Sequence, residues 1–172
     1  MRKIKLPDTI KMVITDFDGV MTDNCVYIGE DFTMSRKLNF KDIMGLSLLK
    51  KNDIKIAIVS GEKNSAIDLL ARKFLIEEVH QDIRIKINVL QSIVEKYSLT
   101  QNEYVYIGDD VNDSDCLNYA KYKITVPHAP DKIKKLKGIQ ITKNDGGNGA
   151  FREVADLSLI HISEPTRHAQ IS

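Results

Sequence analysis

The chain has 172 residues, 42% of them hydrophobic and 28% charged, with a formal net charge of +1. That is enough chain for one soluble domain with a sizeable core. The near-neutral balance gives no electrostatic case for nucleic acid or an anionic membrane surface, and the apolar runs are too short to span a bilayer. Met1–Asp8 carries basic residues but no apolar stretch, so it does not read as a signal peptide. Cys25 and Cys116 lie far apart, and the expectation is two reduced thiols in a cytoplasmic protein.

In chain order, Lys11 to Thr15 reads as a short β-branched strand. Asn24 to Asn39 reads as a β-hairpin, with Cys25–Ile28 and Met34–Asn39 as arms and a turn at Gly29-Glu30-Asp31. Asp42 to Lys51 has the apolar content of a buried-face helix, and Ile54 to Val59 is an apolar strand ending at Ser60-Gly61. Asn64 to Phe74 is a helix with Ile67, Leu70, Ala71 and Phe74 on one face. Ile76 to His80 (strand), Ile85 to Tyr97 (helix) and Glu103 to Ile107 (strand) follow, the last ending at Gly108-Asp109-Asp110. The remainder reads as a helix at Asp113–Ala120, a strand at Lys123–Val126, a short helix at Asp131–Leu136 and a strand at Gly138–Thr142. A last helix begins at Asn148, after Gly146-Gly147. Strands alternate with helices throughout, which predicts an α/β fold, a doubly wound, mainly parallel sheet with a β-hairpin insertion.

The first strand ends in Asp16 and Asp18, two carboxylates one residue apart. Like charges at the end of an apolar run repel each other and resist desolvation unless a cation or hydrogen bonds compensate. A Mg²⁺ ion held there would neutralise them and let one act as a nucleophile. Asp16 would attack phosphorus. Asp18 would protonate the leaving alkoxide and then activate water, a task for a carboxyl that nearby negative charge keeps neutral. Polar residues also follow the Ile54–Val59 and Glu103–Ile107 strands, so three motifs converge on the rim where such sheets bind ligands. Ser60 reads as a helix N-cap or as a hydroxyl that, with the Gly61 amide, holds a phosphate oxygen. Lys86 reads as a solvated lysine or as the cation that neutralises phosphate and Asp16. Asp109 can start a helix or ligate a metal.

Asp16-Phe17-Asp18-Gly19-Val20-Met21-Thr22-Asp23, Ser60, Lys86 and Gly108-Asp109-Asp110-Val111-Asn112-Asp113 resemble, in order and spacing, the four motifs of the haloacid dehalogenase superfamily of phosphatases. The resemblance implies a Rossmann-like fold. It also implies Mg²⁺ held by the Asp16 carboxylate, the Asp18 backbone carbonyl and Asp109, with Asp110 and Asp113 orienting ligands and water from behind. Neither the hairpin nor the connection after Glu103–Ile107 has room for a cap domain. The chain resembles the capless branch that acts on 3-deoxy-octulosonate 8-phosphate or nonulosonate 9-phosphate sugars. Arg36–Asp42, His80-Gln81 and Gly146–Val154 resemble further segments of that branch, and Asn39, Asp42 and Arg152 are expected to bind substrate. In that branch the hairpins assemble a homotetramer in which a neighbouring subunit covers each site. Such assembly would exclude water and protect an unpaired strand edge. Glu62 and Lys73 look more like the nonulosonate members, since octulosonate members tend to carry arginine at the Glu62 position. The expected substrate is a 2-keto-3-deoxy sugar-acid phosphate, with the nonulosonate favoured.

Some positions depart from the family pattern. Ile85 stands where an Asp usually precedes the motif-three lysine, Asp82 replaces a common glycine and Leu38 a common phenylalanine. His80 and His128 have no paired ligands and are read as structural, and Lys132–Lys137 as a solvated helix face. Leu157–Arg167 resembles a translated sequencing adaptor, so 157–172 is read as a tail outside a single phosphatase domain of residues 1–156. Two other functions compete. One is a non-catalytic assembly module related to the C-terminal domain of acylneuraminate cytidylyltransferases. The other is a two-component receiver, whose phosphorylated Asp follows its third strand and not, as here, its first.

Overall fold

All four residues of the first strand, Met12–Thr15 (β1), are buried, so both its faces must be covered. The computed structural model describes residues 4–160. After β1 come the two-residue hairpin strands Tyr27–Ile28 (β2) and Met34–Ser35 (β3), helix Phe40–Lys51 (α1) and strand Lys55–Val59 (β4). Then follow Ser65–Phe74 (α2), Glu78–His80 (β5), Lys86–Lys96 (α3) and Tyr104–Ile107 (β6). A 3₁₀ turn at Val111–Asp113 leads into Ser114–Tyr119 (α4), and Tyr122–Thr125 (β7), Asp131–Lys134 (α5), Gln140–Ile141 (β8) and Ala150–Leu159 (α6) complete the chain.

The sheet order is β5-β4-β1-β6-β7-β8, with every pair parallel. The chain builds outward from β1 on one side, then crosses over and builds β6 to β8 on the other. The crevice above the carboxyl ends of β1 and β6 is therefore the switch point where such sheets take ligands. Strand alternation sends Val13, Ile56, Ile58, Val105 and Ile107 to one face, under Leu46, Leu49, Leu70, Phe151 and Val154 of α1, α2 and α6. Met12, Ile14, Val59, Tyr104 and Tyr106 pack on the other face against Leu90, Ile93, Leu117 and Ile133 of α3, α4 and α5. This is the expected doubly wound α/β sheet with a hairpin insertion, and among the described residues no cap domain stands over the rim.

The differences are local. The expected second hairpin arm stops at Ser35, because Arg36 leaves the ladder to pair with Asp18 (Nε–Oδ1 2.7 Å). Helix α1 starts two residues before the expected Asp42, since the Asn39 side chain caps it by accepting from Lys41 N at 2.9 Å. Helix α6 runs past Asp156 to Leu159, with Ser158 buried and its hydroxyl donating to the Val154 carbonyl. The rest of the expected tail, 161–172, lies outside the described residues.

At the opposite end of the sheet, Glu78 of β5 accepts from Lys96 Nζ and Tyr97 Oη on one oxygen and meets His80 Nε2 on the other. Burial would raise its carboxyl, but these hydrogen bonds outweigh burial and hold it down to about 2, from an ordinary 4.5. A depressed carboxyl contributes stability that is present above its unfolded value and lost as pH falls toward the folded one. Glu78→Gln is thus expected to lower the urea midpoint at neutral pH and to flatten its decline between about pH 4.5 and 2. Parallel acid profiles for the two proteins would refute this.

Candidate active site

Three strand ends build the site. Asp16 follows β1, Ser60-Gly61 follows β4, and Asp109-Asp110 follows β6. All of them line one cleft of about 390 Å³, together with Asp18, Asn24, Glu62, Ile83, Arg84 and Asn112. Asp16 is 5% exposed; its Oδ1 accepts from Phe17 N (2.6 Å) and Lys86 Nζ (2.9 Å), and among the described residues Oδ2 has no donor. Lys86 opens α3 with its side chain fully buried, and its Nζ also reaches Asp113 Oδ1 at 2.8 Å. Two of its three N–H donors are used and one is left over.

Asp113 is the hub behind the cleft. Its Oδ1 accepts from Lys86 Nζ and from Tyr106 Oη (2.7 Å), and its Oδ2 from the Asp109 and Asp110 amides. The hub forms because the 3₁₀ turn carries Asp113 back under Gly108, where a Cβ would lie 2.4 Å from the Asp113 Cγ. Asp109 has a different backing. Gly19, at φ +84°, presses its backbone so close that a Cβ there would lie 2.0 Å from Asp109 Oδ2. Only glycine serves both the left-handed turn and the close approach.

The charges are under-compensated. Burial, then the Asp113 charge, pushes the Asp16 carboxyl well above the usual carboxylate range, although Lys86 opposes this. Burial and Asp113 push Asp109 up to about 6, against His128. Burial alone would lower Lys86, but Asp113 and Asp16 raise it. Asp16, Asp109 and Asp113 each offer an oxygen, and these oxygens lie within 4.8 Å of one another. An all-oxygen carboxylate set fits a hard divalent cation such as Mg²⁺. Asp113 has both oxygens occupied by donors, so Asp16 and Asp109 are the ones with capacity to spare.

Asp18 lines the cleft, but its Oδ1 is taken by Arg36 Nε and by Thr22 Oγ1 (3.3 Å), while its buried Oδ2 has no partner among the described residues. The Ser60 hydroxyl donates to the Glu62 carbonyl at 2.8 Å, closing the turn that brings both residues to the rim.

The expected substrate residues divide. Glu62 is in the cleft. Lys73 sits in the last turn of α2, about 12 Å along the helix axis from Ser65, so within one chain it stands away from the cleft. Asp42 is fully buried and accepts from the Gly149 and Arg152 amides, both at 3.0 Å; it ties α1 to the glycine-rich segment and does not face the cleft. Asn39 caps α1 and donates to the Gly147 carbonyl at 3.2 Å. Arg152 Nε pairs with Asp156 at 2.7 Å, in a separate cleft beside Lys41 and Lys143.

Three residues stand at the site to which the sequence assigns no role there. Arg36 lay in a segment singled out for Asn39 and Asp42, yet it is the side chain that reaches Asp18. Asn24, at φ +62°, extends its amide to Asp109 Oδ2 (3.4 Å). His128, read as structural, places Nε2 3.4 Å from that same oxygen.

Residues 72–153 match the haloacid dehalogenase-like hydrolase family. The 3-deoxy-D-manno-octulosonate 8-phosphate phosphatase KdsC of Escherichia coli K12 is 28% identical over 154 residues, covering 89% of this chain and 81% of that protein. The same phosphatase from Moraxella catarrhalis, solved with a magnesium ion, a phosphate ion and a KDO molecule, superposes with a TM-score of 0.83 at 29% identity, covering 89% and 87% of the two chains. The Yersinia pestis enzyme gives a TM-score of 0.84 at 27% identity, with 89% and 82% covered.

Proposed function

Because the chain belongs to the haloacid dehalogenase-like hydrolases, we propose that it is a Mg²⁺-dependent phosphatase of 2-keto-3-deoxy sugar-acid phosphates. The observation that carries this reading is the convergence of Asp16, Lys86 and Asp109, with Asp18 two residues on, at the switch point of the sheet.

Asp16, the Asp18 carbonyl and Asp109 would hold Mg²⁺. The bound ion would lower the repulsion between the Asp16 carboxylate and a phosphate dianion. Asp16 would attack phosphorus through one carboxylate oxygen, displacing the sugar oxygen and forming an aspartyl-phosphate. Asp18 would give its proton to that leaving oxygen, then take one from the water that hydrolyses the acyl phosphate. Lys86, buried behind Asp16, would offset the charge that phosphate brings, and the Gly61 amide, with the Ser60 hydroxyl once it leaves the Glu62 carbonyl, would hold a phosphate oxygen. Asp113 keeps Lys86 between the carboxylates, and Asp110 lines the cleft.

Similarity to octulosonate 8-phosphate phosphatases supports that sugar as the first substrate to test. Glu62 in the cleft supports nonulosonate 9-phosphate as the second, because a carboxylate there can accept from sugar hydroxyls. Assembly through the hairpin is also proposed. Val26, Tyr27, Ile28, Phe32 and Met34 are all exposed on it, an apolar surface that a second copy would cover. Arg152 and Lys73 would then meet substrate across subunits.

The test is phosphate release with Mg²⁺ from octulosonate 8-phosphate, two nonulosonate 9-phosphates and simple hexose phosphates. Turnover is expected on the keto-deoxy acids well above the hexose phosphates. A stable tetramer that releases phosphate from none of them would favour the assembly module.

A further inference from the structure

Asp109 Oδ2 is held from three sides. Gly19 backs it, and His128 Nε2 and Asn24 Nδ2 each lie 3.4 Å from it. The other ring nitrogen of His128 faces Asp145 Oδ1 at 2.5 Å. That same Asp145 oxygen accepts from the His128 and Gly146 amides, both at 3.2 Å. Asp145 therefore grips His128 twice, by backbone and by ring. The Gly146 backbone lies against one edge of the ring, since a Cβ there would lie 2.8 Å from its Cε1 and 1.9 Å from the Gly19 carbonyl oxygen.

We infer that His128 is a positioning residue for the metal site, holding Asp109 in a relay that begins at Asp145 on the glycine-rich segment. The inference rests on Asp109 being a metal ligand. A carboxylate ligand free to rotate loses part of its affinity to orientational entropy, and hydrogen bonds from behind remove that freedom. Only a ring hydrogen can hold a carboxylate, so the brace on Asp109 would be Nε2–H donating to Oδ2, while the His128 backbone amide ties the loop to Asp145. The scaffold does not need the ring. Val126, Ala129 and Ile133 anchor this loop in the core independently, and the imidazole is 28% exposed.

The experiment is calorimetric titration of Mg²⁺ into the full chain and its His128→Ala, His128→Gln and Asp145→Ala variants, with the metal-free Tm of each. His128→Ala is expected to weaken Mg²⁺ about tenfold or more, with a metal-free Tm close to that of the parent. His128→Gln, which returns a donor near the Nε2 position, is expected to recover most of the affinity. Asp145→Ala is expected to fall in between. Unchanged affinity in His128→Ala, or a glutamine variant as weak as the alanine one, overturns the relay. So does a metal-free Tm that falls in step with affinity, which would make the ring part of the scaffold. No Mg²⁺ binding by the parent chain overturns the proposed function as well, whereas binding indifferent to His128 overturns the relay alone.

Discussion

Replacing Asp16 with Asn is expected to cut turnover roughly a millionfold, the scale seen when a covalent nucleophile is removed, while Mg²⁺ binding largely persists. The amide keeps an oxygen for the cation but cannot form the acyl phosphate. The protein should tolerate the change. Burial and Asp113 already disfavour the ionised form of Asp16, so a neutral group there removes repulsion from the carboxylate cluster. The loss of the bond from Lys86 is limited because Asp113 still accepts from Nζ. Phosphate release from octulosonate 8-phosphate, with calorimetry for Mg²⁺, measures both halves. Activity within a thousandfold of the parent would remove Asp16 from its role as nucleophile.

The second large effect falls on stability. Lys86→Met is expected to cost about 3–5 kcal/mol, the usual penalty for stranding buried charge. The Lys86 side chain is fully buried between Asp16 and Asp113, and no other cation among the described residues pairs with either. Against a total of about 5–15 kcal/mol for an ordinary domain, that is enough to threaten the fold. Adding Asp16→Asn should restore part of the loss, because its amide oxygen can still accept from Phe17 N while one of the two stranded charges is gone. Urea denaturation of the two single variants and the double variant closes the cycle. A Lys86→Met cost under about 1 kcal/mol, or strictly additive effects, would refute the ionic hub.

How legible each part was depends on the distance over which its cause acts. β1, β4 and β6 could be read directly, since buried parallel strands are short apolar runs and their carboxyl ends carry the polar motifs. Asp113 was placed behind the metal from its motif, but its four donors come from β6, α3 and its own turn, which no spacing rule links. Arg36 was invisible because an alternating pattern extends the hairpin through it, whereas the chain exits the ladder to satisfy Asp18. The expectation for Lys73 ignored helix length: a residue in the last turn of α2 cannot return to the rim where that helix starts. His128 had no partner nearby in sequence because Asp145 and Asp109 reach it only through the fold.

The contact between Gly19 and Gly146 has a consequence for the timing of synthesis. The first motif is made before β6 brings Asp109 beside it, and the backbone that wedges against both Gly19 and His128 emerges only after both. Pairings this distant in sequence form late. A nascent chain stalled before Gly146 would carry every acidic residue of the cleft without the brace that sets their spacing. Tight cation binding would then require that the glycine-rich segment has been made and has docked on the first motif.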